Sequence, residues 1–212
     1  METVKAALID WAVAGSVLPG QSESGDQHLV TTTRDGALVA VVDGLGHGVE
    51  AAAAARAAVR SLERHGVQTT TTTTTMISLL KGCHGALSGT RGVVMSVASF
   101  NARDETLTWL GVGNVEGLLL RAQPTVMPRR ESLLLRGGVV GVHLPALSAS
   151  IVPVMRGDTL IFATDGIRND FVLAPLALGD RPQPLADYIL THWGRRTDDA
   201  LVLVARWMGA TA

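Results

Sequence analysis

Five aspartates stand where apolar runs begin or end. Asp43 lies in VVDGLGHGVE, Asp165 in TLIFATDG, Asp198 and Asp199 just before ALVLVA, and Asp26 in SESGDQH. Acids drawn from several strand ends can converge at one edge of a folded sheet. They would then offer the hard oxygen donors that Mg²⁺ and Mn²⁺ prefer, with the remaining positions left to water. A glycine beside an acid, as at Gly44 and Gly166, lets the backbone approach closely, so that a carbonyl can add a donor. Asp-Gly is also an ordinary turn pair, and Asp35-Gly36 reads as nothing more. Gly157-Asp158 reads as a hairpin turn, and Asp104 and Asp180 as solvated loop acids.

The three alternating glycines of VVDGLGHGVE raise a competing chemistry, a backbone cradle for nucleotide phosphates. Gly44, Gly46 and Gly48 follow a strand and open a helix, as a dinucleotide fingerprint does. The third glycine of that fingerprint should fall at position 49, which is Val49. The acid-terminated second strand expected about 20 residues on is also missing. No lysine follows the turn, which excludes a P-loop. The carboxylate reading is the better match.

Other reactive side chains carry less. Cys83 is the lone cysteine, so no internal disulfide is available, and a reducing cytoplasm is the simplest compartment. It reads as a small buried hydrophobe near a helix end rather than a nucleophile. His47 could serve as a general acid or simply pack within the G-H-G turn. His28, His65, His84, His143 and His192 lack metal-ligand spacing and read as surface or packing residues. The tract Thr69 to Thr75 reads as a loop whose last threonine caps the next helix rather than a phosphorylated segment.

Which elements must position the acids? Alternation marks strands at 4–13, 27–33 and 37–42, the last two joined at Asp35-Gly36. An alanine-rich helix follows from Val49 to His65, with Ala51, Ala55, Ala58 and Leu62 on one face and Gly66 as its cap. A second helix, MISLLKGCHGAL, leads to strands at 92–100, 105–112, 114–121, 125–136 and 148–154. TLIFA, a helix over 184–193 and the strand ALVLVARW close the chain. This order lacks the regular strand-helix alternation of a parallel doubly wound sheet. It suits an α+β fold, a four-layer α-β-β-α sandwich of two mainly antiparallel sheets flanked by helices. Sheets covered on both faces account for near-continuous apolar strands such as LVAVV. The 212 residues, 47% hydrophobic and 17% charged, suit one domain spanning 1–212. A net charge of −1 gives no support for a nucleic-acid or anionic-membrane surface. No apolar run approaches the roughly 20 residues of a membrane span. METVKAALIDWAVAG lacks a basic leader ahead of an apolar stretch, so no signal peptide is expected.

At these residues the chain resembles the metal-dependent protein phosphatases of type 2C, the PPM family, in the bacterial branch that includes the sporulation phosphatase SpoIIE. The resemblance runs through SGD at 24–26, VVDGLGHGVEAA at 41–52, LGVGNVEGLLLR at 110–121, GDTLIFATDGI at 157–167 and TDDALVLVAR at 197–206. TRGVVMSVASF and GVGNVEG, with no sensor domain, are most similar to RsbX-type stressosome phosphatases. The resemblance implies the α-β-β-α sandwich and a binuclear Mn²⁺ or Mg²⁺ centre that hydrolyses phosphoserine or phosphothreonine. By motif, Asp43 would bridge both ions and the Gly44 carbonyl would ligate one. Asp165 and Asp198 would hold the other, with Asp198 preferred to Asp199 as the first position of the D-[DN] pair. Asp26 would act through water or on a third, weaker ion. The implied substrates are phosphorylated stressosome scaffold proteins of the STAS-domain type, met by a monomer. The family's phosphate-gripping arginine near the N-terminus has no counterpart before Arg34, which leaves Arg91 or Arg168 as candidates. A catalytically dead binding module for the same partners is the alternative, but a pure scaffold has no physical need for a buried acidic cluster.

Overall fold

The computed structural model describes residues 7–33, 35–66, 72–178 and 181–209. In chain order these form β1 (Ile9–Ser16), β2 (Asp26–Thr32), β3 (Gly36–Gly44), α1 (Val49–Gly66), α2 (Thr73–Ala86), β4 (Val93–Asn101) and β5 (Thr106–Val112). Then come β6 (Glu116–Leu120), β7 (Arg130–Ser132), β8 (Leu135–Arg136), β9 (Ser150–Pro153), β10 (Thr159–Ala163), α3 (Pro182–Trp193) and β11 (Ala200–Trp207). One sheet has the order β1-β11-β10-β6-β7. The other runs β2-β3-β4-β5-β8, with β9 also on β5. All pairings are antiparallel except β5 with β8.

Three apolar layers separate four layers of structure. Between the sheets lie Val39, Val41, Phe100 and Trp109 from one side and Phe162, Leu203 and Trp207 from the other. On the outer face of the second sheet, Ala40, Val42, Met95 and Val97 meet Ala54, Ala58 and Leu62 of α1 and Leu80 of α2. On the outer face of the first, Ile161, Val202 and Val204 meet Leu185 and Ile189 of α3. A strand covered on both sides has no solvent face to mark with polar residues, which is why all nine positions of β4 are buried. The architecture is the α-β-β-α sandwich expected from the order of elements.

Alternation locates most strands, and the alanine face of α1 is as expected: Ala51, Ala55, Ala58 and Leu62 are fully buried. Small side chains let this helix lie close on β3. Four local readings change. The 125–136 strand resolves into β7 and β8, which belong to different sheets, and neither begins before Arg130, past Pro128, which cannot donate to a ladder. The cap of α2 is Thr72 rather than the last threonine: its side chain accepts from the Thr75 amide at 3.2 Å, and Thr75 reciprocates in a capping box. A short 3₁₀ helix, Asn169–Leu173, was not foreseen. Gly66 ends α1 from within it. Residues 4–6 of the first expected strand, Thr69–Thr71, Arg34 and Asp180 lie outside the described residues.

Candidate metal centre

β3 ends in Asp43 and Gly44 and turns into α1 within four residues. Gly46 (φ 89°) and Gly48 (φ 75°) adopt left-handed backbone that disfavours other residues. At Gly44 a side chain would collide with the Ala51 carbonyl. The glycines thus allow a tight strand-to-helix reversal that leaves Asp43 at the strand end.

Asp26 stands directly across from Asp43 in the β2–β3 ladder. From the other sheet, Asp165 follows β10. A side chain on Gly166 would strike the Asp199 carbonyl, so that glycine lets the entry to β11 draw close. Thr164 ties the sheets together: its hydroxyl donates to Asp26 Oδ2 at 2.7 Å and accepts from the Leu201 amide at 2.9 Å. Asp43, Asp165 and Asp198 line one open cavity of about 570 Å³, with His47, Asn114 and Thr197 among its other walls. Asp26, only 4% exposed, and Gly44 sit beside this lining rather than in it.

Electrostatics show what the convergence costs. Burial first, then the neighbouring Asp26, Asp165, Asp198 and Asp199, push the Asp43 carboxyl up to about 8. Burial likewise raises Asp26 to about 7, opposed by the Thr164 hydrogen bond and assisted by Asp199, Asp165 and Asp198. Asp198 is raised by burial, against the hydrogen bond from the Asp199 amide. Among the described residues none of these acids pairs with lysine or arginine. A group of carboxylates in excess of nearby positive charge, with His47 close to Asp198, suits divalent cations in both charge and donor type. The side chains do not close on one point, since among the described residues no three His, Cys, Asp or Glu groups converge to hold a single ion. Carbonyl and water oxygens would have to complete each sphere.

Two side chains have roles that the sequence reading did not assign. Asp199, 3% exposed, accepts the Leu18 amide at 2.8 Å and the Gly25 amide at 2.7 Å, fastening the loop that leads into Asp26. The D-D pair marks it as a possible ligand, whereas its role as a clamp depends on backbone far away in the chain. Thr164 lies inside the T-D-G motif but gives no sign that it faces Asp26. Asp158 corrects an expectation: it is 1% exposed and accepts from Arg121 Nη1 at 2.8 Å and the Ala122 amide at 2.9 Å, besides closing its turn through Met155.

The other candidates separate clearly. Arg91 pairs with Glu50, and its Nη1 lies 2.9 Å from where a side chain on Gly46 would begin. Arg168 reaches Asp170 and the His192 carbonyl instead. His28, His65, His84, His143 and His192 do not line the cavity. Burial pushes the Cys83 thiol up to about 11, which suits packing and not nucleophilic attack.

Solved structures share this architecture. A chain from a structure described as the bacterial stressosome, a modular system adapted to control secondary-messenger signalling, gives a TM-score of 0.83 at 29% identity, over 93% of this chain and 99% of that one. RsbX in complex with magnesium gives 0.79 at 20% identity, over 98% of each chain. The PP2C phosphatase domain of SpoIIE from Bacillus subtilis, with a fragment of its regulatory domain, gives 0.77 at 20% identity, over 99% of this chain and 66% of that one. The fold is that of the PP2C, or PPM, phosphatases. Residues 33–208 match the Stage II sporulation protein E (SpoIIE) family, and the chain belongs to it. No curated protein sequence matches.

Proposed function

We propose that the protein is a metal-dependent serine/threonine phosphatase acting on phosphorylated stressosome scaffold proteins, of the STAS-domain type, or on related stress-signalling proteins. The observation that carries this reading is the placement of Asp43, Asp165 and Asp198, from three separate segments, in the lining of one cavity, with no lysine or arginine paired to them among the described residues. In this reading residues 1–212 act as one catalytic domain, a cytoplasmic monomer that takes two Mn²⁺ or Mg²⁺ ions. Asp43, the Gly44 carbonyl, Asp165 and Asp198 would hold the ions, and Asp26 would contribute through water or to a third ion. When bound, two such ions supply hydroxide near neutral pH and neutralise phosphoryl oxygens.

The chain's own residues then have three tasks. The carboxylates would hold the cations, and the strand ends would fix their spacing. The half-open cavity admits a phosphorylated side chain to the acids. Attack on phosphorus by water needs no protein nucleophile, in keeping with the inert thiol of Cys83. The similarity to a stressosome structure and to RsbX supports the choice of substrate class.

The test is release of phosphate from phosphorylated scaffold proteins with Mn²⁺, with chelator, and with Asp43→Asn. Chelation and Asp43→Asn should each lower the rate at least 100-fold, following the loss of a dominant electrostatic contribution. Tight binding of the phosphoprotein with no metal-dependent release would instead identify a binding module.

A further inference from the structure

We propose that Asn114 is a positioning residue that orients the Asp165 carboxylate toward the cation site. This rests on the metal-centre reading above and adds a residue that the ligand set omits. Asn114 Nδ2 donates to Asp165 Oδ2 at 2.8 Å across 51 residues of chain, and both side chains line the acid cavity. The turn that delivers Asn114 is tightly determined. Gly113 has φ 95°, and a side chain there would collide with Val94. Asn114 is therefore held between β5 and β6, whose strand β6 pairs with β10, the strand that leads to Asp165.

The chemistry favours an amide at this position. An ionised carboxylate only accepts hydrogen bonds, so the NH₂ end of Asn114 must face it. Engaging Oδ2 restricts rotation of the carboxylate and leaves Oδ1 available to the cavity. Lysine or arginine in the same place would also satisfy Oδ2, but its charge would oppose a cation. Aspartate would add repulsion to a site already crowded with acids. A neutral donor orients the ligand without competing for its charge. Partners of this kind commonly contribute 10- to 100-fold to metal affinity.

The experiment titrates Mn²⁺ into chelator-stripped full-length protein by calorimetry, for wild type, Asn114→Ala, Asp165→Ala and the double variant. Thermal melts in chelator are recorded alongside. Asn114→Ala should weaken Mn²⁺ binding about 10-fold while its melting temperature in chelator stays within about 2 °C of wild type. In the Asp165→Ala background the same substitution should have no further effect on affinity, because its route of action is gone. Unchanged affinity in Asn114→Ala, or equal losses in both backgrounds, would overturn the inference. If Asn114→Ala fails to fold, Asn114→Leu carries the same cycle. Wild-type protein that binds Mn²⁺ but releases no phosphate would sink the phosphatase reading while leaving this cycle interpretable. A wild type that releases phosphate beside an unaffected Asn114→Ala would sink only the role of Asn114.

Discussion

Asp26 and Asp43 face each other across a strand pair with raised carboxyls, at about 7 and about 8. Both folded-state values lie above the unfolded value of 3.8, so the folded metal-free protein holds protons that the unfolded chain has released. Stability therefore falls as pH rises from about 4 to about 8 and levels off beyond. Melting temperatures in chelator should be higher at pH 5 than at pH 8, and Mn²⁺ should recover the difference at pH 8. Calorimetry at pH 6.5 in buffers of different ionisation enthalpy should show protons leaving as Mn²⁺ binds. A flat melting profile in chelator would mean the two carboxyls are not strained. At this scale the acids that line the cavity were legible. Asp43, Asp165 and Asp198 announce themselves by ending or preceding apolar runs, which is a local property of sequence. The partners of Asp158 and Asp199 were not legible, because a Gly-Asp or Asp-Asp pair looks the same whether water, Arg121 or a distant amide lies opposite.

Among elements, the glycines divide into those that allow contact and those that merely dilute a helix. Gly166 touches the Asp199 carbonyl through the place a side chain would fill, while Gly82 in α2 has nothing within 4 Å of its added carbon. Gly166→Ala should separate the β10 and β11 ends, lowering the denaturation midpoint and Mn²⁺ affinity together. Gly82→Ala should raise stability by about 0.5–1 kcal/mol, the helix-interior preference for alanine, with no change in metal binding. Urea titrations of both variants check the contrast. The central strands were readable because a strand packed between the other sheet and a helix must be apolar on both faces. The 125–136 stretch was misread because apolar content alone cannot show that Leu133, between β7 and β8, passes from one sheet to the other.

Across the whole molecule, the acids occupy one end of β6 and β10. A second buried charge group holds the other end, where Leu120 pairs with Thr159. There Arg121, 4% exposed in its side chain, joins Asp158 and Glu131. Removing one partner of such a group leaves buried charge unmatched, so Arg121→Ala should cost about 3–5 kcal/mol. Chemical denaturation measures it, and Mn²⁺ affinity should be spared because the acid cavity lies at the opposite end.

Thr164 joining Asp26 to the start of β11 points to how such a fold holds together without covalent aid. A chain with one cysteine has no internal disulfide to shorten its unfolded state. Ions gripped by Asp43 and Asp198 would close a loop through most of the polypeptide. They would act as a reversible staple whose entropic benefit grows with the length it encloses, so that the catalyst and the cross-link would be the same object.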